Sequence, residues 1–258
     1  MRCDILTLFP EMLAAVLDAS ILKRGREKGL LDVRVINLRD YTEGRHKIAD
    51  DSPYGGGAGM VLKPEPVFRA VDAIRAGGEE LRILLMSPQG RRFTQAMAQE
   101  LAGEHRRVIF LCGHYEGIDE RVRLGLAPEE ISVGDFVLTG GELPALVILD
   151  AAARLIPGVL GDPQSAQADS FAGSLLDYSH YTRPSEFRGL EVPEVLLSGD
   201  HRAIEAWRRA EALRNTLLKR PDLLERASLT AEDRQTLNEL SGQASPDGRG
   251  ERREEMQS

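Results

Sequence analysis

The sequence predicts an α/β protein, a mostly parallel sheet wrapped by helices, followed by a smaller helical unit. Three observations carry this. Strand-like and helix-like segments alternate over residues 1–160, the order that gives a parallel sheet with helices on both faces. The strand-like runs are nearly continuous in apolar residues, as strands covered on both faces are. From residue 200 to residue 240 the pattern is helical only. In chain order, residues 3–9 read as a strand stopped by Pro10, and residues 11–29 as a helix ending on a glycine. Residues 33–38 form the next expected strand. Residues 64–76 and 94–102 carry apolar side chains three and four apart, a helical spacing, with strands expected at 83–86 and 108–112. Residues 142–156 read as a helix apolar on most sides, which belongs inside the sheet packing or against a partner subunit. Pro157 and Gly158 end it. Residues 161–173 (GDPQSAQADSFAG) are polar, small and aperiodic, and read as a linker or lid. In the helical region Ile204, Trp207, Ala210, Leu213, Leu217 and Leu218 form the expected apolar stripe. Residues 242–258 lack apolar anchors and are expected to be disordered. The expected divisions are therefore 1–160, a linker at 161–176, a helical domain at 177–241 and a tail at 242–258.

Composition narrows the class. With 42% hydrophobic and 29% charged residues in 258, the chain can bury the core of one large or two modest domains. No apolar stretch reaches the length of a membrane span, and the first residues lack a basic segment leading into an apolar one. Only Cys3 and Cys112 are present, both in apolar strand-like runs, so a reducing cytoplasm is expected rather than a disulfide scaffold. The net charge of −8 argues mildly against a general nucleic-acid binder but leaves room for a local basic patch. Arg202, Arg208, Arg209, Arg214, Lys219 and Arg220 crowd one helical region. As a bare pattern, such a cluster is either a phosphate-facing surface or a solvated helix face.

Three strand-like runs end in small, turn-prone segments: SPQG at 87–90, GHYEGIDER at 113–121 and VGDFVLTGGELP at 133–144. A fourth such segment, PYGGGAGM at 53–60, follows the acidic pair Asp50 and Asp51. Ligands of open α/β sheets sit outside the carboxyl ends of the strands, so a shared cleft is expected there. Gly140–Gly141 lies just before a helix, where a backbone without Cβ lets a ligand approach and the first amides of the helix face it. The same pair also fits an ordinary tight turn.

These motifs resemble those of the bacterial tRNA (guanine-N1)-methyltransferases of the TrmD type, in the SPOUT superfamily. The resemblance runs from LFPEM (8–12) through DDSPYGGGAGM, MSPQG, CGHYEGIDER, VGDFVLTGGELP, IPGVLG, SFAGSLLDYSHYTRP and VPEVLLSGDH, and covers nearly the whole chain but its last fifteen or so residues. Departures are small: His114 stands where some members carry Arg, and Phe136 where some carry Tyr. The resemblance implies a SPOUT-type sheet with a deep trefoil knot, which general fold rules would not suggest. It also implies a homodimer, tRNA as substrate and S-adenosylmethionine as methyl donor.

On that resemblance the donor pocket is made by Met86, Ser87 and Pro88, by Gly113, Tyr115, Glu116 and Gly117, and by Val133, Gly134, Asp135, Phe136, Val137, Leu138, Gly140, Gly141 and Pro144. Gly59, His180 and Arg183 are expected on the substrate side. Glu116 has two readings, a ribose contact or a pair with Arg121. Guanine N1 carries a proton at neutral pH, so methylation needs a base to remove it. Asp169 matches the family's general base, and its bland alternative is a solvated loop aspartate. Arg154 matches the second catalytic residue, which stabilises charge that develops on guanine O6. Its alternative is a helix-end cation beside terminal carbonyls. Family members are reported to work with Mg²⁺, but His46, His105, His114, His180 and His201 form no metal-ligand spacing, so no metal ligand is expected. A non-catalytic RNA-binding protein on the same scaffold is the second class, and a methyltransferase of another RNA position is the nearest rival. A P-loop hydrolase is excluded because no GxxxxGK[ST] occurs.

Overall fold

The computed structural model describes residues 1–161, 169–171 and 173–243. The chain forms two compact units, Met1–Pro163 and Gln164–Ser258. Half of the expected linker (162–168 and 172), and the tail from 244 onward, lie outside the described residues.

The first unit is built on a five-stranded, all-parallel sheet. Its strands are β1 (Arg2–Thr7), β2 (Asp32–Asn37), β5 (Leu81–Arg92), β6 (Arg107–Cys112) and β7 (Glu129–Ser132), in the order β2-β1-β6-β5-β7. The short strands β3 (Asp50–Asp51) and β4 (Val61–Leu62) pair separately as an antiparallel ribbon. Side chains alternate between the two faces. Val108, Phe110 and Cys112 of β6 enter one core, with helices α1 (Glu11–Leu17), α2 (Ser20–Glu27), α4 (Gln95–Ala102) and α6 (Glu142–Ala153). Ile109 and Leu111 enter the other, with α3 (Pro64–Arg75) and α5 (Glu120–Leu126). That two-sided burial is why the run is apolar without a break.

Three expectations need correction. Residues 11–29 form two helices, because the chain turns extended at Ala19 (φ −122°, ψ 156°). The break lets Leu13 and Leu17 of one helix and Leu22 of the other reach the same core. The helix expected over 142–156 ends at Ala153. Leu155 and Ile156 continue it with tighter bonds, their amides donating to the carbonyls of Ala152 and Ala153, so burial of Ile156 and Val159 outlasts the helix itself. The strand expected over 83–86 runs on to Arg92, after an arch described below. Phe136, Val137 and Leu138, the apolar run of the 133–144 loop, are exposed.

Helix α6 buries eight of its twelve residues, and Leu143 and Val147 remain half-exposed on the other side, with Met12 and Val16 of α1 also exposed. No helix among the described residues is long and apolar enough to cross a membrane.

In the second unit, an antiparallel pair (Glu186–Phe187 with Leu190–Glu191) precedes helices Glu194–Leu197, His201–Lys219 and Ala231–Gln243. The expected continuous helical region is thus interrupted. Pro221 cannot donate a backbone hydrogen bond, and a 3₁₀ turn (Pro221–Leu223) stands there instead. Of the expected stripe Leu213 is buried, while Leu218 is exposed. Polar residues complete the packing. Asn215 Nδ2 donates to the Asp177 carbonyl at 3.1 Å, and Thr216 Oγ1 accepts from Leu176 N at 2.9 Å. Both side chains are buried and tie residues 176–177 to the helix.

Candidate active site

The carboxyl ends of β6, β5 and β7 lie side by side, and the three turn-prone motifs meet there. In β5 the pairing with β7 jumps: Met86 and Arg91 both stand opposite Ile131, so residues 87–90 arch out of the sheet. Gly90 lies so close to β7 that a Cβ would fall on the backbone of Glu130 and Ile131. The SPQG arch therefore requires glycine at its return.

The arch, the Gly113–Gly117 segment and the 133–144 loop enclose a cleft of about 290 Å³, near the lower end for small-molecule sites. Met86, Ser87, Pro88, Gly113, Tyr115, Glu116, Gly117, Val133, Gly134, Phe136, Val137, Leu138, Gly140, Gly141 and Pro144 all line it. Asp135 does not. Its exposed carboxylate accepts from Arg92, which turns it to the loop's outer side. His114, Thr139 and Arg123 also line the cleft and were not among the expected residues. The first two sit inside the motifs. Arg123 reaches the cleft from α5, where it pairs with Glu120 and Glu130, and nothing in its sequence surroundings marks it. Tyr115 holds a left-handed backbone (φ +57°), an uncommon conformation for a side chain this size and one that clusters at ligand sites.

Gly140 and Gly141 have ordinary negative φ values or none in the left-handed region. They are glycine for another reason. A Cβ on Gly141 would stand 2.7 Å from Cys112 Cα and 3.0 Å from Met86 Cβ. One on Gly140 would fall on the Glu142 carboxylate and the His114 ring. The space beside both is filled by the protein itself, as the tight-turn reading of the pair has it. The turn is then stitched to its neighbour: Gly141 N donates to the Gly113 carbonyl at 2.8 Å, and His114 bridges Gly140.

Glu116 extends toward the 53–60 loop. Its amide donates to the Met60 carbonyl at 3.0 Å, and its side chain occupies the place a Cβ on Gly59 would take. Gly59 itself holds φ +85°. The alternative pairing with Arg121 does not form. Arg121 instead binds Asp119, which caps α5, at 2.7 and 2.8 Å, and that guanidinium holds the Asp119 carboxyl below its usual range.

Arg154 is half-buried at the C-terminal cap of α6 and is not part of the cleft lining. In the second unit, Asp169 is half-buried. His180 is exposed, its Nε2 2.9 Å from Asp177 Oδ2 and its ring tilted against Tyr178 at 4.5 Å. Arg183 is exposed. The basic cluster is largely paired with side chains of its own unit. Arg208 binds Glu205, Arg209 binds Asp233, Arg214 approaches Glu211, Lys219 donates to Asn215 and Arg220 binds Asp222. Among the described residues no three His, Cys, Asp or Glu side chains gather as a metal site.

A parallel sheet whose strand ends and helix-leading glycine turn wall one cleft defines an α/β protein with its cleft at the carboxyl edge of its sheet, the edge where open α/β sheets take their ligands. The family model described as tRNA (Guanine-1)-methyltransferase TrmD matches residues 1–226. The chain is 58% identical over 243 residues to a protein of Moorella thermoacetica, covering 93% of this chain and 97% of that one. It is 55% identical over 239 residues to one of Geobacillus kaustophilus (93% and 98% covered), and 53% identical over 247 residues to one of Dehalococcoides mccartyi (95% and 99%). All three are named tRNA (guanine-N(1)-)-methyltransferase. The chain belongs to the TrmD family.

Proposed function

We propose that the chain methylates N1 of the guanine immediately 3′ of the anticodon in tRNA, with S-adenosylmethionine as donor. The observation that carries this reading is the cleft, where fifteen of the sixteen residues expected around the donor come together at three strand ends. Its lining suits that donor. Pro88, Leu138 and Pro144 offer apolar surface for an adenine ring, and Glu116 offers a carboxylate for ribose hydroxyls or a cationic centre. S-adenosylmethionine, when bound, supplies a methyl group already activated by its sulfonium.

The protein's remaining work falls on the acceptor. Asp169 takes the N1 proton, which makes the nitrogen nucleophilic, and a carboxylate does this best when partly withdrawn from water. Arg154 places a permanent cation to stabilise the negative charge that shifts to O6. His180 and Arg183 contact the RNA, and residues 177–241 form its docking domain. Mg²⁺ fits no group of side chains among the described residues, and no step is assigned to it.

Two copies pair through α1 and α6, because Met12, Val16, Leu143 and Val147 leave apolar surface there. The knotted path, the homodimer and a cytoplasmic setting complete the reading.

The test is to incubate the protein with labelled S-adenosylmethionine and unmodified tRNA transcripts, then map the methylated nucleotide. Label at N1 of the guanine after the anticodon supports the reading. Label at another position identifies a methyltransferase of different specificity, and no transfer leaves an RNA-binding protein.

A further inference from the structure

Glu142 is fully buried in the first turn of α6. Its Oε1 accepts the Thr7 hydroxyl at 2.6 Å, and Thr7 Oγ1 in turn accepts from Phe9 N at 2.8 Å, which anchors the carboxylate to the end of β1. Its Oε2 has no hydrogen-bond partner among the described residues, and neither has Nδ1 of His114. These two buried atoms face each other at 3.8 Å, across the position where Gly140 lacks a Cβ.

Polar atoms buried without partners cost stability, and two of them opposed in this way call for a reason. The separation exceeds hydrogen-bond range, yet a shift of about 1 Å closes it. The segment that would move begins at His114 and continues through Tyr115, whose backbone is strained, into the Glu116–Gly117 wall of the cleft. His114 lines the cleft, whereas Glu142 does not.

We propose that Glu142 and His114 are a positioning pair for the donor cleft. The anchored carboxylate accepts Nδ1–H of His114 and so locks the His114–Gly117 wall against the Gly140–Gly141 turn when the donor occupies the site. Gly140 is glycine so that the pair can meet. This rests on the donor reading above, but the pair is a claim about residues that reading leaves unused.

Glu142→Gln tests it, since the amide retains an oxygen for Thr7 but loses the charge. Calorimetry should show S-adenosylmethionine bound about tenfold more weakly, the worth of one charge-assisted hydrogen bond. The loss should fall on donor KM rather than on kcat. Amide exchange should quicken at 113–117 and 140–141 together. His114→Phe keeps the ring packed against Phe9 (centroids 4.5 Å apart) but removes the donor, and should match Glu142→Gln. His114→Asn restores a donor near Nδ1 and should recover most of the affinity. The double variant Glu142→Gln, His114→Phe should be no weaker than either single one. A folded Glu142→Gln protein with wild-type donor affinity and wild-type exchange overturns the proposal. If Glu142→Gln proves unstable, the contrast between the two His114 variants decides, and equal affinities overturn the pair. If the wild-type protein binds no S-adenosylmethionine, the functional reading falls. The exchange rates at 113–117 and 140–141 then decide the pair alone, faster exchange in Glu142→Gln supporting it and unchanged exchange overturning it.

Discussion

Gly141 packs directly on Cys112, with no room between them for even a methyl group. The turn that leads into α6 is thereby pressed onto the end of β6, and the cleft wall inherits its shape from that contact. Gly141→Val should displace the turn, because the atoms in its way are backbone and Cβ and cannot rotate aside. We expect a loss of about 1–3 kcal/mol in stability, the usual cost of overpacking, together with weakened donor binding. Thermal unfolding and calorimetry on the same variant check it. A variant as stable as wild type would show that the turn has slack.

The thiols beneath these contacts should be inert. Burial pushes Cys3 up to about 12 and Cys112 well above the ordinary thiol range, with the Glu142 carboxylate adding to the effect at Cys112. Neither thiol is accessible in the folded chain. Iodoacetamide at pH 8 should label neither cysteine in native protein and both after denaturation. Rapid native labelling of Cys112 would mean that the packing of Gly141 on β6 opens.

The Arg209–Asp233 pair fastens the two long helices of the second unit, with bonds of 2.9 and 2.8 Å to the two carboxylate oxygens. Asp233 is buried and held at about 2, first by the Arg209 hydrogen bond. Its folded value lies below the ordinary aspartate value of 3.8, so its contribution is present above pH 4 and drains away as pH falls toward 2. Asp233→Asn should destabilise this unit by about 1–2 kcal/mol at pH 7, reduced because Arg209 is half-exposed. The difference from wild type should shrink between pH 4 and pH 2. A constant difference across that range would deny the linkage.

If α1 and α6 form the dimer contact, a charge there should break it. Val147→Glu places a carboxylate on exposed apolar surface and should give a monomer with little change in the fold of the first unit. Light scattering at micromolar concentration reads the mass. A wild-type mass of one chain would count against the dimer altogether.

Much of the first unit was legible in the sequence because its physics is local. The unbroken apolar run of β6 announces a strand buried on both faces, and the small residues after β5, β6 and β7 announce turns at one edge. What stayed hidden depends on distant partners. Apolar periodicity runs through Ala19 without a sign that the helix breaks there, because both halves serve one core. The arch at 87–90 arises from pairing with β7, which residues 83–92 do not reveal. Gly140 and Gly141 look like ligand glycines, yet the atoms that demand them belong to Glu142, His114, Cys112 and Met86. The basic cluster of the second unit left a phosphate-facing surface and a solvated helix face both open, and the ion pairs of three of its arginines with Asp233, Glu205 and Asp222 depend on partners that the pattern does not show. Asn215 and Thr216, buried and polar, escaped a search for apolar stripes.

In the proposed reaction Asp169 removes the proton from guanine N1. Asp169→Asn keeps the shape of the side chain but cannot accept that proton at neutral pH. The direct measurement is single-turnover methyl transfer to unmodified tRNA at saturating S-adenosylmethionine, compared between wild type and Asp169→Asn across a pH series. We expect a fall of about two to four decades with donor affinity nearly unchanged, the usual worth of a positioned general base. Arg154→Lys should lie between wild type and Arg154→Ala if charge alone matters, and equal Ala if the planar fork is required. Wild-type single-turnover rates in Asp169→Asn would exclude Asp169 as the base and leave Glu116 as the next candidate.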